Sequence, residues 1–337
     1  MAQPVTANRG PHVQRLLFSN AEEMSRAMHG VDIEMNVLKD GYFPYGLLSA
    51  QLGDCVLDIG DAGAAVTVAG AVDQRSALLV LPMRHEGDWR LNGIECSPDR
   101  LAVYRPGAEA FAYTGGPVQW TGLQVPEARW QQMVELFGAR GAERRRDSME
   151  MTALAPAAQQ TLHRAVAQAA ALLRDHPHMA ELPQINETLR QSLLYAFARA
   201  ALERESAARA PIPGFLHSRI VKTAEDFLQA HPEMLLFHVA DLCKATGVSE
   251  RTLRNAFNGA FGMGPIRYLR IRRLNQVRRL LEHPDDDVGS VTEAAMRFAF
   301  FDLGRFARDY QRLFGEKPSE TWSRQRAQMG ASFSLLG

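Results

Sequence analysis

Cysteine is scarce in this 337-residue chain: Cys55, Cys96 and Cys243 are the full set. They are far apart, odd in number and free of any CxxC or Cys/His spacing. That excludes a disulfide framework and a zinc site, and it fits reduced thiols in a cytoplasm. No run of 18 apolar residues occurs, so no membrane-spanning helix is expected. Met1 to Gly10 lacks a basic stretch followed by an apolar one, so no secretion signal is expected either. Histidine is sparse where a catalytic metal would need it. Between residues 31 and 125 only His85 occurs, with His12 and His29 upstream and His163, His176 and His178 downstream. A metal site needs a cluster of such ligands with a carboxylate, and no Ser/His/Asp or Cys/His arrangement stands out. The expectation is no metal, no cofactor and no catalysis.

Net charge is also absent, with 38 basic against 38 acidic residues, but it is unevenly spread. From Gly214 onward there are 18 Lys and Arg against 14 Asp and Glu, a net of +4, so residues 1–213 carry 20 against 24, a net of −4. A basic C-terminal part suits an approach to phosphates. The acids Asp285 to Asp287 dilute it and read as a solvated loop.

Residues 31–125 read as strands. The apolar stretches Ile33–Leu38, Tyr45–Leu52, Val56–Ile59, Ala65–Val68, Leu78–Met83, Leu101–Tyr104 and Val118–Val125 alternate with Gly-, Pro-, Asp- and Asn-containing turns. Many short strands of this kind indicate a β sandwich or barrel, and Asn92-Gly93 suits a type I′ hairpin. From Pro126 the pattern turns helical. Trp130, Val134 and Phe137 share one helix face, and long helices are expected over Ala153–Leu173 and Leu182–Ala208. These helices could pack on the barrel, on each other or on a second subunit. Residues 205–213, small, polar and twice broken by Pro, read as a linker. Helices are then expected near 215–230, 238–246, 250–261, 265–281, 291–298, 303–314 and 318–326.

Within that last part the chain repeats itself. Cys243-x3-Gly247-Val248 is followed by Leu253, Phe257, Phe261-Gly262 and Pro265. About 52 residues on, Ala295-x3-Ala299-Phe300 is followed by Phe306, Tyr310, Phe314-Gly315 and Pro318, with one extra residue between turn and first aromatic. Each copy has the form of a helix-turn-helix, in which the second helix enters the major groove. Gly247 supplies the left-handed turn. Val239, Leu242, Val248, Leu253 and Phe257 would form the small core, leaving Glu250, Arg251, Arg254 and Asn255 facing the groove. Arg can bond guanine bidentately and Asn can do so with adenine; the same residues would also serve as ordinary solvated charges. The second copy has Ala299 at its turn and Leu303 and Gly304 facing outward, with Arg305 and Arg308 retained. That suggests more phosphate anchoring and less direct reading. The joining helix, 265–281, spans about 25 Å, enough to place both heads in successive major grooves. Its Arg270, Arg272, Arg273, Arg278 and Arg279 are divided between phosphate contacts and internal ion pairs.

Ser249-x-Arg251-x-Leu253-x3-Phe257, Phe261-Gly262-x2-Pro265-x2-Tyr268 and FDLGRFARDYQRLFGEKPSE resemble the AraC/XylS family of transcriptional regulators over about 215–326. The resemblance implies two helix-turn-helix units joined by a helix, one DNA-binding domain per subunit, and usually activation of transcription, hence double-stranded DNA and RNA polymerase as partners. By position it puts base contacts on Arg251, Arg254 and Asn255, and on Leu303, Gly304, Arg305 and Arg308, with the aromatic and Phe-Gly positions in the core. It also implies a cupin-like barrel that binds a small effector.

The expected fold is therefore α+β and multidomain: a cupin-like effector domain over 1–125, a helical extension over 126–204 that suits homodimerisation, a linker over 205–213, an all-α double helix-turn-helix domain over 214–326, and a tail over 327–337. Aromatic and polar residues that would line an effector site are Trp89, Arg90, Tyr104, Arg105, Phe111, Tyr113 and Trp120, with Arg90 or Arg105 holding a carboxylate. Each also fits a barrel core or a surface arginine. The leading expectation is a cytoplasmic, ligand-responsive activator, nucleoid-associated when bound to DNA. The alternatives are a dimerising DNA-binding regulator without effector, and a cupin-type enzyme, which the missing histidine cluster disfavours.

Overall fold

Turn residues cut the chain between residues 13 and 126 into strands short enough to pair with their neighbours. The computed structural model describes residues 12–39, 44–138, 149–202, 215–231, 236–284 and 288–334. The Met1–Gly10 segment, the linker expected at 205–213 and Asp285–Asp287 lie outside the described residues. In chain order the elements are β1 (Val13–Phe18), α1 (Ala21–Ala27), β2 (Val31–Val37), β3 (Tyr45–Leu52), β4 (Cys55–Ala62), β5 (Val66–Val72), β6 (Ser76–His85), β7 (Trp89–Leu91), β8 (Ile94–Glu95), β9 (Arg100–Tyr104), β10 (Glu109–Thr114) and β11 (Val118–Pro126). All pairings are antiparallel. With β12 (Met149–Ala153), a seven-stranded sheet has the order β1-β3-β4-β11-β6-β9-β12, and a five-stranded sheet the order β2-β5-β10-β7-β8. Asn92 and Gly93 turn the β7–β8 hairpin with φ of 49° and 80°, the positive pair that a type I′ turn needs.

Strand β12 (Met149–Ala153) pairs with β9 and falls where a helix was expected to begin. Pro156, fixed at the φ of a first helical turn, starts the helix there instead. The helical segment comprises α2 (Glu127–Leu136), α3 (Pro156–Asp175), a 3-10 turn (Pro177–Glu181) and α4 (Pro183–Leu202). Strands β1, β7, β8, β10 and β12 and helix α1 had no counterpart among the apolar stretches, because they are short or mix charged and apolar residues.

The two sheets close over an interior of Met24, Met35, Tyr45, Trp89, Tyr104 and Trp120. This is the cupin-like arrangement. Both outer faces are covered as well. Leu57, Leu79, Leu81, Leu101 and Leu123 of the larger sheet bury against Trp130, Leu162, Val166, Leu173, Leu193 and Phe197 of α2, α3 and α4. A strand buried on both faces carries an almost unbroken apolar run, which is why β6 reads SALLVLPM. The helices therefore spend their apolar faces on the barrel.

The C-terminal part comprises α5 (Phe215–Ala230), α6 (Val239–Thr246), α7 (Glu250–Phe261), α8 (Pro265–Glu282), α9 (Val291–Arg297), α10 (Leu303–Phe314) and α11 (Pro318–Ser334). Its core, built on Leu242, Leu253, Phe257, Phe261, Tyr268, Phe306, Tyr310 and Phe314, is continuous with Leu38, Ala65, Ala69 and Phe111 of the barrel. The outer face of the five-stranded sheet is thus roofed by the helical domain.

Candidate nucleic-acid interface

The first helix-turn-helix is α6–α7. Gly247 takes φ +67° at the turn, and a Cβ there would meet nothing within 4 Å, so backbone freedom alone explains the glycine. The Ser249 hydroxyl accepts from Thr252 N (3.3 Å) and caps α7. Leu253, Ala256, Phe257 and Ala260 are buried, while Glu250, Arg251, Arg254 and Asn255 are exposed together on the opposite side. Arg254 pairs with Glu250 at 2.7 Å, both more than half exposed. Such a pair is worth about 0.3–0.5 kcal/mol, whereas a bidentate contact to a base discriminates by about 1–3 kcal/mol. A guanine edge would win Arg254 from Glu250.

The second unit is α9–α10. Ala299 adopts φ +58° and so preserves the left-handed turn without glycine. Asp302 caps α10, accepting from Arg305 N at 2.9 Å. Phe306, Tyr310 and Phe314 are buried. Leu303, Gly304, Arg305 and Arg308 are all exposed. The Arg308 guanidinium donates to Gly304 O (3.3 Å) along its own helix.

Helix α8 joins the units over 18 residues, about 27 Å. All five of its arginines that sequence reading divided between DNA and internal pairs are engaged within the protein. Arg270 pairs with Asp309 of α10. Arg272 and Arg279 reach Glu34 of β2 (3.4 and 3.0 Å), and Arg279 also meets Glu22 (2.7 Å). Arg278 bonds Glu282 (2.9 Å) and lies 4.7 Å over Phe314, and Arg273 lies 5.0 Å over Phe300.

The seven residues singled out for an effector fall in two places. Trp89, Tyr104 and Trp120 belong to the barrel interior, and Arg105 is buried. Arg90, Phe111 and Tyr113 point the other way, onto α7. Pleating puts Glu109, Phe111 and Tyr113 on one face of β10, with Phe111 level with Ala69 and Glu34, and Tyr113 level with Thr67, Asn36 and Arg90. Phe111 meets Phe261 edge to face at 6.0 Å. The Tyr113 ring lies so close over Gly262 that a Cβ there would stand 2.8 Å from it. Arg90 is held by Asp88 (2.8 Å) and donates to the carbonyls of Asn258 and Gly259 (3.3 and 3.5 Å). Lys222 of α5 meets Glu109 at 2.5 Å.

Sequence reading missed Asn275 of α8. Buried, it accepts from Val37 N (3.1 Å) and donates to Val37 O (3.3 Å), so one side-chain amide completes the edge of β2. Its partner is backbone, which no residue pattern betrays. Glu225 of α5 is buried beside Arg272, Glu34 and Tyr268; burial outweighs the pull of Arg272 and pushes its carboxyl up to about 7.

Among the described residues there is no cluster of His, Cys, Asp and Glu able to hold a metal, and no helix long and apolar enough to cross a membrane. Two helix-turn-helix units on a common helix, each presenting exposed side chains from its second helix, define a DNA-binding domain of the sequence-reading class. Residues 242–324 match the helix-turn-helix domain family model. Over 146 residues the chain is 36% identical to a probable thc operon regulatory protein of Rhodococcus erythropolis, covering 43% of this chain and 44% of that protein. Over 103 residues it is 38% identical to a XylDLEGF operon transcriptional activator of Pseudomonas putida, covering 31% and 30%. In these matches it spans less than half the length of either relative. It is also 36% identical to a solved probable AraC family transcriptional regulator from Rhodopseudomonas palustris, covering 32% of this chain and 96% of that one, with a TM-score of 0.28. The C-terminal domain of the chain belongs to the AraC/XylS family of transcriptional regulators.

Proposed function

We propose that the protein regulates transcription by binding operator DNA through α7 and α10, and that the state of its barrel sets how it binds. The observation that carries this reading is the roof of helices on the five-stranded sheet: Arg90, Phe111 and Tyr113 touch α7 directly, and Glu34 and Val37 hold α8. Arg251, Arg254 and Asn255 read bases, with Glu250 as the resting partner of Arg254. Leu303, Gly304, Arg305 and Arg308 form the second contact. A small organic effector among Trp89, Tyr104, Arg105 and Trp120 would lie one sheet away from α7, and it would act only by binding one docking geometry better than another. By analogy with relatives named as operon activators, the regulation is activation with RNA polymerase as partner, in the cytoplasm, by a homodimer.

The test is selection of duplexes from a random library by the full chain. A defined sequence is expected, and Arg254→Ala should lose preference at one position of it. Binding without sequence preference, or unchanged preference in the variant, would overturn the assignment. A second reading, in which the barrel holds the DNA-binding domain but takes no effector, is favoured by the barrel interior being filled with Met24, Met35, Tyr45, Trp89, Tyr104 and Trp120. It predicts that operator affinity stays fixed across a panel of small organic acids, where the first reading predicts a response to at least one.

A further inference from the structure

The two units differ by one residue, and that residue has a place. In the first unit the N-cap Ser249 stands two positions after the turn residue Gly247; in the second, the N-cap Asp302 stands three positions after Ala299. The extra position brings Phe301, whose surface is 76% exposed. This is no frayed segment. Phe300 beside it is buried, 5.1 Å from Phe306 and under Arg273, and Asp302 on its other side is bonded to Arg305 N. Phe301 is thus held outward between two fixed neighbours. Leu303, on the far side of Asp302, is 36% exposed. Gly304 follows with no side chain. Arg305 and Arg312, on the same helix, have no ion pair among the described residues, and with Arg308 they line one surface cleft. Two exposed apolar side chains thus stand at the start of the helix that a helix-turn-helix inserts into the major groove, with arginines further along that helix.

We infer that the second unit reads thymine: Phe301 and Leu303 pack on the C5-methyl groups of thymines in the major groove, while Arg305 and Arg308 hold the flanking phosphates. The inference rests on the DNA-binding reading above. The thymine methyl is the one apolar feature of the major-groove code, and apolar side chains are its readers. A donor-poor helix start, with Leu-Gly where the first unit has Glu-Arg, is the composition that reading requires. The arginines along the same helix argue for nucleic acid as the occupant, since backbone contacts to phosphate set the register in which base edges are read.

The test uses the full chain and the duplex it selects. Thymines are replaced one at a time by deoxyuridine, which removes only the methyl group. At one or two positions the native chain should lose about fourfold in affinity per methyl, the weight of one buried methyl group. Phe301→Ala or Leu303→Ala should bind thymine DNA correspondingly more weakly and no longer distinguish deoxyuridine at its position. Phe301 is exposed, so its loss leaves the folded core intact. If no deoxyuridine substitution weakens binding, or if the same penalties persist in both variants, the apolar tip serves something other than DNA and the inference falls. If the chain selects no sequence at all, the DNA-binding reading fails and takes this one with it; a selected sequence without methyl dependence overturns this one alone.

Discussion

The two helix-turn-helix units share a scaffold and differ in what holds them. The first is gripped by the barrel: Arg90 bonds carbonyls near the end of α7, and Phe111 and Tyr113 pack on Phe261 and Gly262. The second is tied to α8, through Arg270 and Asp309, through Arg278 and Glu316 at 3.4 Å, and through Arg273 over Phe300. Their outward faces differ too, hydrogen-bonding in the first and apolar with cations in the second. The contrast teaches that duplication fixed the hydrophobic frame and left attachment free to diverge. One head abuts the barrel directly, and the other is tied to the joining helix, which β2 holds in its turn.

The largest expected break comes at Phe111. Phe111→Ala removes a fully buried ring shared by the barrel and α7 and should cost about 3–5 kcal/mol, read as a lower denaturant midpoint of the full chain. An equal loss from truncating an exposed residue of α10 would show that the grip on the first unit is nothing special. Next is Glu225→Gln. The Glu225 carboxyl titrates near 7 in the folded protein, above the ordinary value of 4.5. A raised acid contributes stability that is fully present below the ordinary value and is lost as pH rises through the folded one. Native stability should therefore fall from about pH 4.5 to about pH 7 by at most about 3 kcal/mol on this account, and the Gln variant should be flatter over that window. A slope unchanged by Glu225→Gln would assign the pH dependence elsewhere. Arg254→Ala then sharpens the difference in readout. It should lose about 1–3 kcal/mol of discrimination at one base pair, whereas Arg308→Ala should weaken binding evenly across sequences and reduce the salt slope by about 1.

Much of this was legible in the sequence. The expected helices over 250–261 and 303–314 match α7 and α10, because Ser249 and Asp302 cap one end while Gly262 and Gly315 close the other. The strand Tyr45–Leu52 was bounded as expected by its turns. Residues whose partners lie far along the chain were not legible. Phe111 and Tyr113 looked like pocket residues because an exposed-side aromatic on a strand reads the same whether it meets a ligand or a neighbouring domain. Arg272 and Arg279 looked available to phosphate because Glu34, some 240 residues upstream, gives no local sign of pairing with them. Phe301 was passed over because a phenylalanine between Phe300 and Asp302 reads as core until its exposure is seen.

The smallest effects test the turns, where the two copies are most nearly the same. Gly247 and Ala299 both hold a left-handed backbone, at φ +67° and +58°. For a residue with a Cβ that conformation costs roughly 1–2 kcal/mol, against which glycine gives up about 0.4–1 kcal/mol through its freer unfolded state. The net preference for glycine is about 0.5–1 kcal/mol at either turn. No atom lies within 4 Å of a Cβ at Gly247, so Gly247→Ala should destabilise by that amount through backbone strain alone. Ala299→Gly should stabilise by the same amount. Opposite and equal shifts in the denaturation midpoint would establish that the turns are interchangeable and that the units differ only in their faces and attachments. If Ala299→Gly instead destabilises, its methyl group packs against the second unit, and the divergence reaches into the scaffold itself.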